Sequence, residues 1–323
     1  MDYSQLATEL AAHIRKIVRP RLGTPEARTV EGTANSGDAT FNIDVLAEQA
    51  VVDYIKANNL NVAYYTEDAG LREFGTPQAT LIIDPIDGTR GAMAGFECCV
   101  VSVAVADYKH DVCMRDVRAG CIHELKDDRI FVAERGQGVR IIENGCERSI
   151  LKSTCTQIEK AGWAAEIAGR PASMIMRVIG KAIDASSIRG GFFIINSSAY
   201  SLTRLVTGQL CALVDVGGRL LADVEETKEA FMEAGFGAVV GLFPYDFAAA
   251  ALIAEEAGCT ITDAYGQPLD DVRLLDSSAK NIQSIIATCT PELHAQFMDS
   301  IEEGFSGFEK LWSNMDARRL QFG

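Results

Sequence analysis

The 323-residue sequence predicts a mixed protein, α+β in its first half and α/β in its second half. Two observations carry this prediction. Between residues 80 and 142, apolar runs of strand length alternate with short polar turns, a pattern typical of a largely antiparallel sheet. After about residue 160, strands such as GGFFIIN alternate with helical segments such as DFAAAALIAEEAG, which is typical of an α/β layer.

The first half is expected to begin with two helices. Leu6, Leu10 and Ile14 lie on one face of an amphipathic helix, and acids stand where a signal peptide carries bases, so we expect no targeting segment. The polar stretch GTANSGDAT then predicts a loop or a hairpin tip. A second helix, DVLAEQAVVDYIKANN, ends at its asparagines and precedes the strands NVAYYTED and TLIIDP.

The change of pattern divides the chain into two predicted domains. Residues 1–150 are expected to form an N-terminal α+β domain that carries a mostly antiparallel sheet and metal-binding acids. Residues 151–323 are expected to form a C-terminal α/β domain that supplies the last metal aspartate and substrate contacts. The boundary falls between residues 145 and 160.

Composition excludes several classes of protein. Hydrophobic residues make up 48% and charged residues 23%, as in soluble globular proteins. The net charge of −15 would repel nucleic acid, and the longest apolar run, about ten residues, is too short to span a membrane. Nine cysteines without a CxxC pair, beside four histidines, favour reduced core thiols in a cytoplasmic protein over zinc or disulfides.

Acids end several of the apolar segments. Glu67 follows YYT, Asp84 and Asp87 lie in IIDPIDGT, and Asp246 lies in PYDF. A buried carboxylate is costly unless a positive group meets it, so the two aspartates beside a buried strand require a cationic partner. Ligand sets made of oxygen alone suit hard divalent cations, so these acids favour Mg²⁺.

Each acid also has a purely structural interpretation. Asp246 begins a strong helix and can cap it, and Asp44 stands in the same place before its own helix, with an imperfect capping box. Glu67 can lie in a solvated loop. After the two strand aspartates, Gly88 and Thr89 can open a helix whose free amides would bind phosphate.

Taken together, IIDPIDGT and the downstream PYDFAAAALIAEEAG resemble the paired signatures of the inositol monophosphatase family. Its members are magnesium-dependent, lithium-sensitive phosphatases and include archaeal-type fructose-1,6-bisphosphatases and phosphoadenosine-phosphate phosphatases. AGCIHELKDDRIFVAERGQGV and NSSAYSLTRLVTGQL extend the resemblance over most of the chain. It implies a layered α-β-α-β-α sandwich of the sugar phosphatase type, in a cytoplasmic homodimer without nucleic-acid or membrane partners.

The resemblance also implies a role for each site residue. Glu67, Asp84 and the Ile86 carbonyl would hold one Mg²⁺; Asp84, Asp87 and Asp246 would hold a second; and a third, weaker ion would bind near Glu67. The implied catalytic residues, which orient and deprotonate the attacking water, are Asp44, Glu67 and Thr89. The implied substrate-binding residues are Asp87, Gly88, Thr89, Arg90, Ser197, Ser198 and Asp215.

The sequence departs from the family mainly on the substrate side. Arg90 follows the motif threonine, where it can hold a phosphate or face solvent, and Asn196 replaces a glycine. Asp215 stands where many members have a glutamate, and residues 217–244 contain an insertion. Tyr245 replaces the tryptophan that often precedes the last aspartate.

The departures leave the substrate open. The best-fitting activity is that of an inositol-1-monophosphatase acting on a small polyol or sugar phosphate through a metal-activated water. Fructose 1,6-bisphosphate, 3′-phosphoadenosine 5′-phosphate and histidinol phosphate are alternative substrates. A metal-stabilised scaffold without activity is the alternative of another class, because a fold does not guarantee a function.

Overall fold

The computed structural model describes residues 1–34 and 37–322, with side chains described up to residue 308. The helices are α1 Tyr3–Val18, α2 Asn42–Ala57, α3 Thr89–Ala94, α4 Ala172–Ser186, α5 Ser198–Val206, α6 Gly217–Asp223, α7 Thr227–Ala234, α8 Pro244–Glu256 and α9 Pro291–Phe322. The strands are β1 Val30–Thr33, β2 Ala39–Phe41, β3 Val62–Thr66, β4 Gly70–Glu73, β5 Ala79–Asp87, β6 Val100–Asp107, β7 Val117–Glu124, β8 Arg129–Glu134, β9 Gly138–Glu143, β10 Cys146–Arg148, β11 Gly162–Ala165, β12 Gly191–Ile194, β13 Ala212–Asp215, β14 Thr260–Thr262 and β15 Ile285–Thr288.

Two sheets organise the chain. The larger has the strand order β10-β9-β8-β7-β6-β5-β3-β4 and is antiparallel apart from the β3–β5 pair. The smaller has the order β12-β11-β13-β15-β14, with β11 parallel to both of its neighbours. The mostly antiparallel first half and the mixed second half therefore have the character expected from the sequence. Residues 149–161 separate the two sheets along the chain.

The elements stack in five layers. Helices α1 and α2 pack on one face of the larger sheet, α5 and α8 lie between the sheets, and α4 and α9 pack beside the smaller sheet. This is the α-β-α-β-α sandwich that the family resemblance implied. Helix α8 is apolar on all sides because it contacts both sheets. A Cβ at Gly120 of β7 would lie 2.7 Å from the Ala249 carbonyl oxygen, so glycine permits this close packing.

The β1–β2 hairpin and the insertion at residues 217–244 lie near the candidate active site. Strands β1 and β2 pair antiparallel, and the predicted loop between them includes Asn35 and Ser36, which lie outside the described residues. The insertion contains α6 and α7 and is anchored at both helices. Arg219 of α6 bonds Glu302 of α9 (Nη2 to Oε2, 3.0 Å), and Phe231 of α7 is fully buried.

Across the described helices, none has the combination of length and apolar character that crossing a lipid bilayer requires.

Candidate active site

Strand β5 carries both motif aspartates, because it continues to Asp87, two residues beyond the strand TLIIDP expected from the sequence. Pairing with β6 shifts between them: Asp84 faces Ser102, and Asp87 faces Val100. Three steps along β5 therefore match two steps along β6, which defines a β-bulge of one residue. Residues three apart in a regular strand point to opposite faces, but the bulge turns both carboxylates to the same side. Pro85 has no N–H to pair and is suited to this position.

Asp246 reaches the same place from helix α8. It is the third residue of α8, and its Oδ2 accepts a hydrogen bond from the Phe243 backbone N (2.7 Å). Asp246 thus takes part in capping, although it does not occupy the N-cap position that the sequence suggested. Asp84, Asp87 and Asp246 each offer an oxygen within 4.8 Å of the others, and we call these three the carboxylate trio.

The electrostatics of the carboxylate trio favour binding of a cation. Burial raises the pKa of Asp84 well above its usual value, and the charges of Asp87 and Asp246 raise it further. Burial and the nearby charges of Glu67 and Asp87 likewise raise the pKa of Asp246. Asp84 and Asp87 are buried and Asp246 is half-buried. Three oxygen ligands that repel one another fit a hard divalent ion, which would offset both the cost of burial and the repulsion.

Asp87 also holds the start of helix α5. Its Oδ2 accepts hydrogen bonds from the Ser197 Oγ (2.6 Å) and the Ala199 backbone N (2.7 Å). Burial raises the pKa of Asp87 to about 6, and the bond from Ser197 opposes that rise. One oxygen is therefore engaged by α5, which leaves Oδ1 for a metal ion. Ser197 is buried and contacts Asp87, whereas Ser198 lines the cavity.

Thr89 and Asp44 meet at the side of this cluster. Thr89 Oγ1 lies 3.1 Å from Asp44 Oδ1 and 3.0 Å from the Ile86 carbonyl oxygen. Asp44 is the third residue of α2 and not its N-cap, as the sequence suggested, because the N-cap is Phe41, three positions earlier. Asp44 Oδ2 accepts a hydrogen bond from the Phe41 backbone N (2.9 Å). Burial raises the pKa of Asp44 to about 7. A carboxyl with that pKa can accept a proton near neutral pH.

One cavity of ≈ 630 Å³, measured with its open mouth, contains most of the predicted site. Its walls include the predicted residues Glu67, Asp84, Ile86, Asp87, Gly88, Thr89, Arg90, Ser198 and Asp246. Asp44 lines a smaller adjoining cavity that shares Glu67, Asp84 and Thr89 with the first. The structure therefore brings the metal and catalytic candidates together from four separate parts of the chain.

Arg90 lies at the mouth of the cavity and is paired. Its Nη1 and Nη2 bond the two carboxylate oxygens of Asp38, at 3.1 and 2.7 Å. The side chain is 50% exposed, so Arg90 both faces solvent and reaches the cavity wall. Its position is therefore compatible with both predictions for Arg90, that it faces solvent and that it can hold a phosphate.

Asp215 does not reach the cavity wall. Its side chain is fully buried, and its Oδ2 lies 2.8 Å from Nη2 of Arg170, which does line the cavity. Its Oδ1 accepts a hydrogen bond from the Gly217 backbone N (2.8 Å). The structure therefore places Asp215 behind Arg170 and not on the cavity wall, where the expected substrate contact would require it.

Sequence reasoning missed Glu166 and Arg170 as cavity residues. Glu166 follows the buried strand β11 directly, so it carries the same signal, an acid that ends an apolar segment, that identified Glu67. Burial raises the pKa of Glu166 to about 8, although the charge of Arg170 opposes that rise. Arg170 precedes a proline in a turn, and no sequence signal marks it as buried.

Comparison of the sequence with known proteins identifies its relatives. The model of the inositol monophosphatase family covers residues 2–303. A fructose-1,6-bisphosphatase/inositol-1-monophosphatase of Methanothermobacter thermautotrophicus is 25% identical over 307 residues, which cover 92% of this chain and 95% of the relative. Human inositol monophosphatase 2 is 25% identical over 290 residues, 88% of each chain.

The fold agrees with these relatives. The crystal structure of the extragenic suppressor protein suhB from Bartonella henselae has a TM-score of 0.69 at 18% identity and covers 94% of this chain and 100% of that one. A family model that spans almost the whole sequence and a clustered set of family acids lead to one conclusion. The chain belongs to the inositol monophosphatase family, whose members are phosphatases.

Proposed function

We propose that this protein is a Mg²⁺-dependent phosphomonoesterase that acts on a small polyol or sugar phosphate, with myo-inositol 1-phosphate as its best-fitting substrate. The observation that carries the proposal is the carboxylate trio, because it gathers three oxygen ligands, two of them on buried residues, from two distant segments of the chain. Glu67 lines the same cavity. Hard divalent ions are the cations that such ligands prefer.

The residues present fit two or three Mg²⁺ ions. Glu67, Asp84 and the Ile86 carbonyl would hold one, Asp84, Asp87 and Asp246 would hold another, and Glu67 would contribute to a third, weaker site. When bound, such ions supply an activated water and neutralise charge on the phosphate oxygens. The ions would also reverse the negative field of the cavity, which an anionic substrate must enter.

The remaining chemistry belongs to side chains and backbone. Thr89 Oγ1 donates to Asp44 Oδ1, so the pair can orient an attacking water and pass its proton to Asp44. We place the phosphate beside Gly88, Thr89 and Ser198, on the cavity wall next to the carboxylate trio. Positioning and charge stabilisation account for most of the catalysis of phosphoryl transfer, so the mechanism requires no protein nucleophile.

Fructose 1,6-bisphosphate is the second candidate substrate. Two relatives, from Methanothermobacter thermautotrophicus and Thermococcus kodakarensis, are named fructose-1,6-bisphosphatase/inositol-1-monophosphatase. Adenosine bisphosphates and histidinol phosphate remain further candidates within the same chemistry. A scaffold without activity is disfavoured because Asp44, Thr89 and all four metal acids are present and close together.

The family resemblance extends the proposal to the setting of the enzyme. We propose inhibition by Li⁺, a cytoplasmic location and a homodimer. Light scattering on the purified chain tests the dimer, and a mass of one 34.9 kDa chain would exclude it. Phosphate release measured against LiCl concentration, with KCl as the ionic-strength control, tests the inhibition.

Phosphate release with and without Mg²⁺ tests the proposed activity. The wild-type protein is expected to hydrolyse p-nitrophenyl phosphate and myo-inositol 1-phosphate only when Mg²⁺ is present. Asp87→Asn is expected to abolish turnover, whereas Asp184→Asn, an exposed site on α4, is expected to leave it unchanged. Full turnover by Asp87→Asn at saturating Mg²⁺ would refute the assigned site.

A further inference from the structure

Glu166 and Arg170 line the same cavity as the carboxylate trio, and part of their hydrogen-bonding capacity is unused. Both residues are buried, with 3% and 8% of their surfaces exposed. In the part of the chain that the structure describes, Glu166 Oε1 and Arg170 Nε make no hydrogen bond. A buried polar atom without a partner costs about 1–3 kcal/mol, which a ligand that bonds it would recover.

Asp215 balances the charge of Arg170 from behind. The ion pair between Arg170 Nη2 and Asp215 Oδ2 is 2.8 Å long, and both side chains are at most 5% exposed. A Cβ at Gly217 would lie 3.2 Å from Arg170 Nε, so the glycine leaves space beside this unused donor. Arg170 is therefore held in place, with its charge already neutralised inside the protein.

The loop that carries both residues is also fixed from two sides. Asn196 Oδ1 accepts hydrogen bonds from the backbone N of Ile167 and of Ala168, each at 3.2 Å. On the other side, a Cβ at Gly169 would lie 2.8 Å from Val240 of the insertion, so the backbone at Gly169 packs closely against the Val240 side chain. Val240 itself lines the cavity. Glu166 and Arg170 thus form a preorganised part of the wall.

We propose that Glu166 and Arg170 form the subsite for the leaving alcohol, and that this subsite selects a neutral polyhydroxylated alcohol over one that carries a second phosphate. A carboxyl acceptor beside a guanidinium donor matches hydroxyl groups, each of which accepts and donates. A second phosphate would meet an arginine already paired with Asp215, and the acids around it would repel the added charge. The inference rests on the proposed function, because it presupposes phosphate ester hydrolysis in this cavity.

Three phosphate esters distinguish the subsite for the leaving alcohol from the phosphatase activity itself. They are myo-inositol 1-phosphate, fructose 1,6-bisphosphate and p-nitrophenyl phosphate, whose leaving group has no further hydroxyl. The wild-type kcat/KM is expected to be highest for myo-inositol 1-phosphate. Two variants test the subsite: Glu166→Gln, and the double variant Arg170→Gln/Asp215→Asn, which removes both partners of the ion pair. In each, kcat/KM for myo-inositol 1-phosphate is expected to fall about tenfold or more. For p-nitrophenyl phosphate it is expected to stay within about twofold.

The matched control is Arg177→Gln, which removes an exposed arginine on α4 and should leave kcat/KM unchanged for both esters. An equal loss on both esters in the variants, with Tm unchanged, would overturn the subsite, because only a structural role moves both. A wild-type preference for fructose 1,6-bisphosphate would overturn the selection of a neutral alcohol.

Binding of free myo-inositol provides a readout that needs no turnover. We expect it to raise the Tm of the wild-type protein in the presence of Mg²⁺ and inorganic phosphate, and not that of the double variant. If no ester is hydrolysed, the proposed function fails, while this Tm shift still supports the subsite. Equal shifts in the two proteins, or no shift in the wild type, would overturn it.

Discussion

Ser197 Oγ lies 2.6 Å from Asp87 Oδ2 and joins the start of helix α5 to the bulged end of strand β5. Asp87 belongs to the larger sheet, whereas Ser197 lies in the segment that joins β12 of the smaller sheet to α5. The bond stabilises the charged form of Asp87, because a donor to a carboxylate lowers its pKa. A residue that binds no metal itself can therefore control the affinity of the metal site.

Ser197→Ala should weaken the apparent affinity for Mg²⁺. A hydrogen bond to a charged group contributes about 1.5–3 kcal/mol, so the Mg²⁺ concentration for half-maximal activity should rise roughly tenfold or more. The effect should be larger at pH 6 than at pH 8, because Asp87 then retains its proton more readily. Phosphate release titrated with MgCl₂ measures it, with exposed Ser187→Ala as the control. Identical Mg²⁺ curves for both variants would contradict the role of Ser197.

Asp84→Asn should abolish activity but stabilise the metal-free protein. Turnover should be lost, because Asp84 is the acid common to both proposed metal sites. In EDTA, however, the variant should be more stable than the wild type, with a Tm higher by about 2–4 °C, because a buried charge repelled by two neighbours has been removed. Calorimetry in EDTA and in Mg²⁺ measures both effects. A lower Tm in EDTA would show that the trio is not electrostatically strained.

Stability of the metal-free protein should fall as pH rises. Burial raises the pKa of Asp44 to about 7 and that of Asp87 to about 6, whereas an unfolded aspartate titrates near 3.9. The folded state therefore binds more protons than the unfolded state between roughly pH 4 and 7, so these groups lower the free energy of unfolding across that window.

Urea unfolding in EDTA from pH 4.5 to 8 measures this dependence. The decrease should be smaller in Asp44→Asn, which removes one of the two groups, and Mg²⁺ should stabilise the wild type more at pH 8 than at pH 5. Equal pH dependence in the wild type and in Asp44→Asn would contradict the assignment.

The Thr89 hydroxyl should matter for turnover more than for binding. Thr89→Val removes the donor to Asp44 while keeping the side-chain shape, so kcat should fall about 10²–10³-fold with little change in KM. Thr89→Ser keeps the hydroxyl and should retain most of the activity. Steady-state kinetics on p-nitrophenyl phosphate compare the two. Equal kcat values in both variants would exclude a role for the hydroxyl.

The contact between Gly169 and Val240 should control the shape of the cavity. Gly169 has φ +67°, and an added Cβ would lie 2.8 Å from Val240 Cβ. Gly169→Ala should therefore displace the loop and lower kcat/KM for myo-inositol 1-phosphate several-fold. Adding Val240→Ala should restore part of the loss, because it removes the clash but not the backbone strain. An additive loss in the double variant would show that the two residues act independently.

Much of the site followed from the sequence because its acids end apolar segments in a recognisable order. Glu67, Asp84, Asp87 and Asp246 all line one cavity, as the family resemblance implied. The local roles were harder to predict. Asp246 and Asp44 each occupy the third position of their helices, since the first helical residue lies two positions before the acid.

What the sequence could not give depends on contacts between remote residues. The β-bulge is defined by the pairing of β5 with β6, and a proline between two aspartates does not by itself distinguish a bulge from the end of a strand. Similarly, the family resemblance implied a substrate contact for Asp215. Only the buried position of Arg170 shows that its carboxylate is engaged elsewhere.

The order of the ligands along the chain has a consequence for biosynthesis. Asp84 and Asp87 leave the ribosome long before Asp246, which lies on helix α8, and α8 packs between the two sheets. A nascent polypeptide that ends near residue 240 holds two of the three acids and lacks helix α8. The full carboxylate trio of the proposed metal site is therefore present only after about three quarters of the chain has been made.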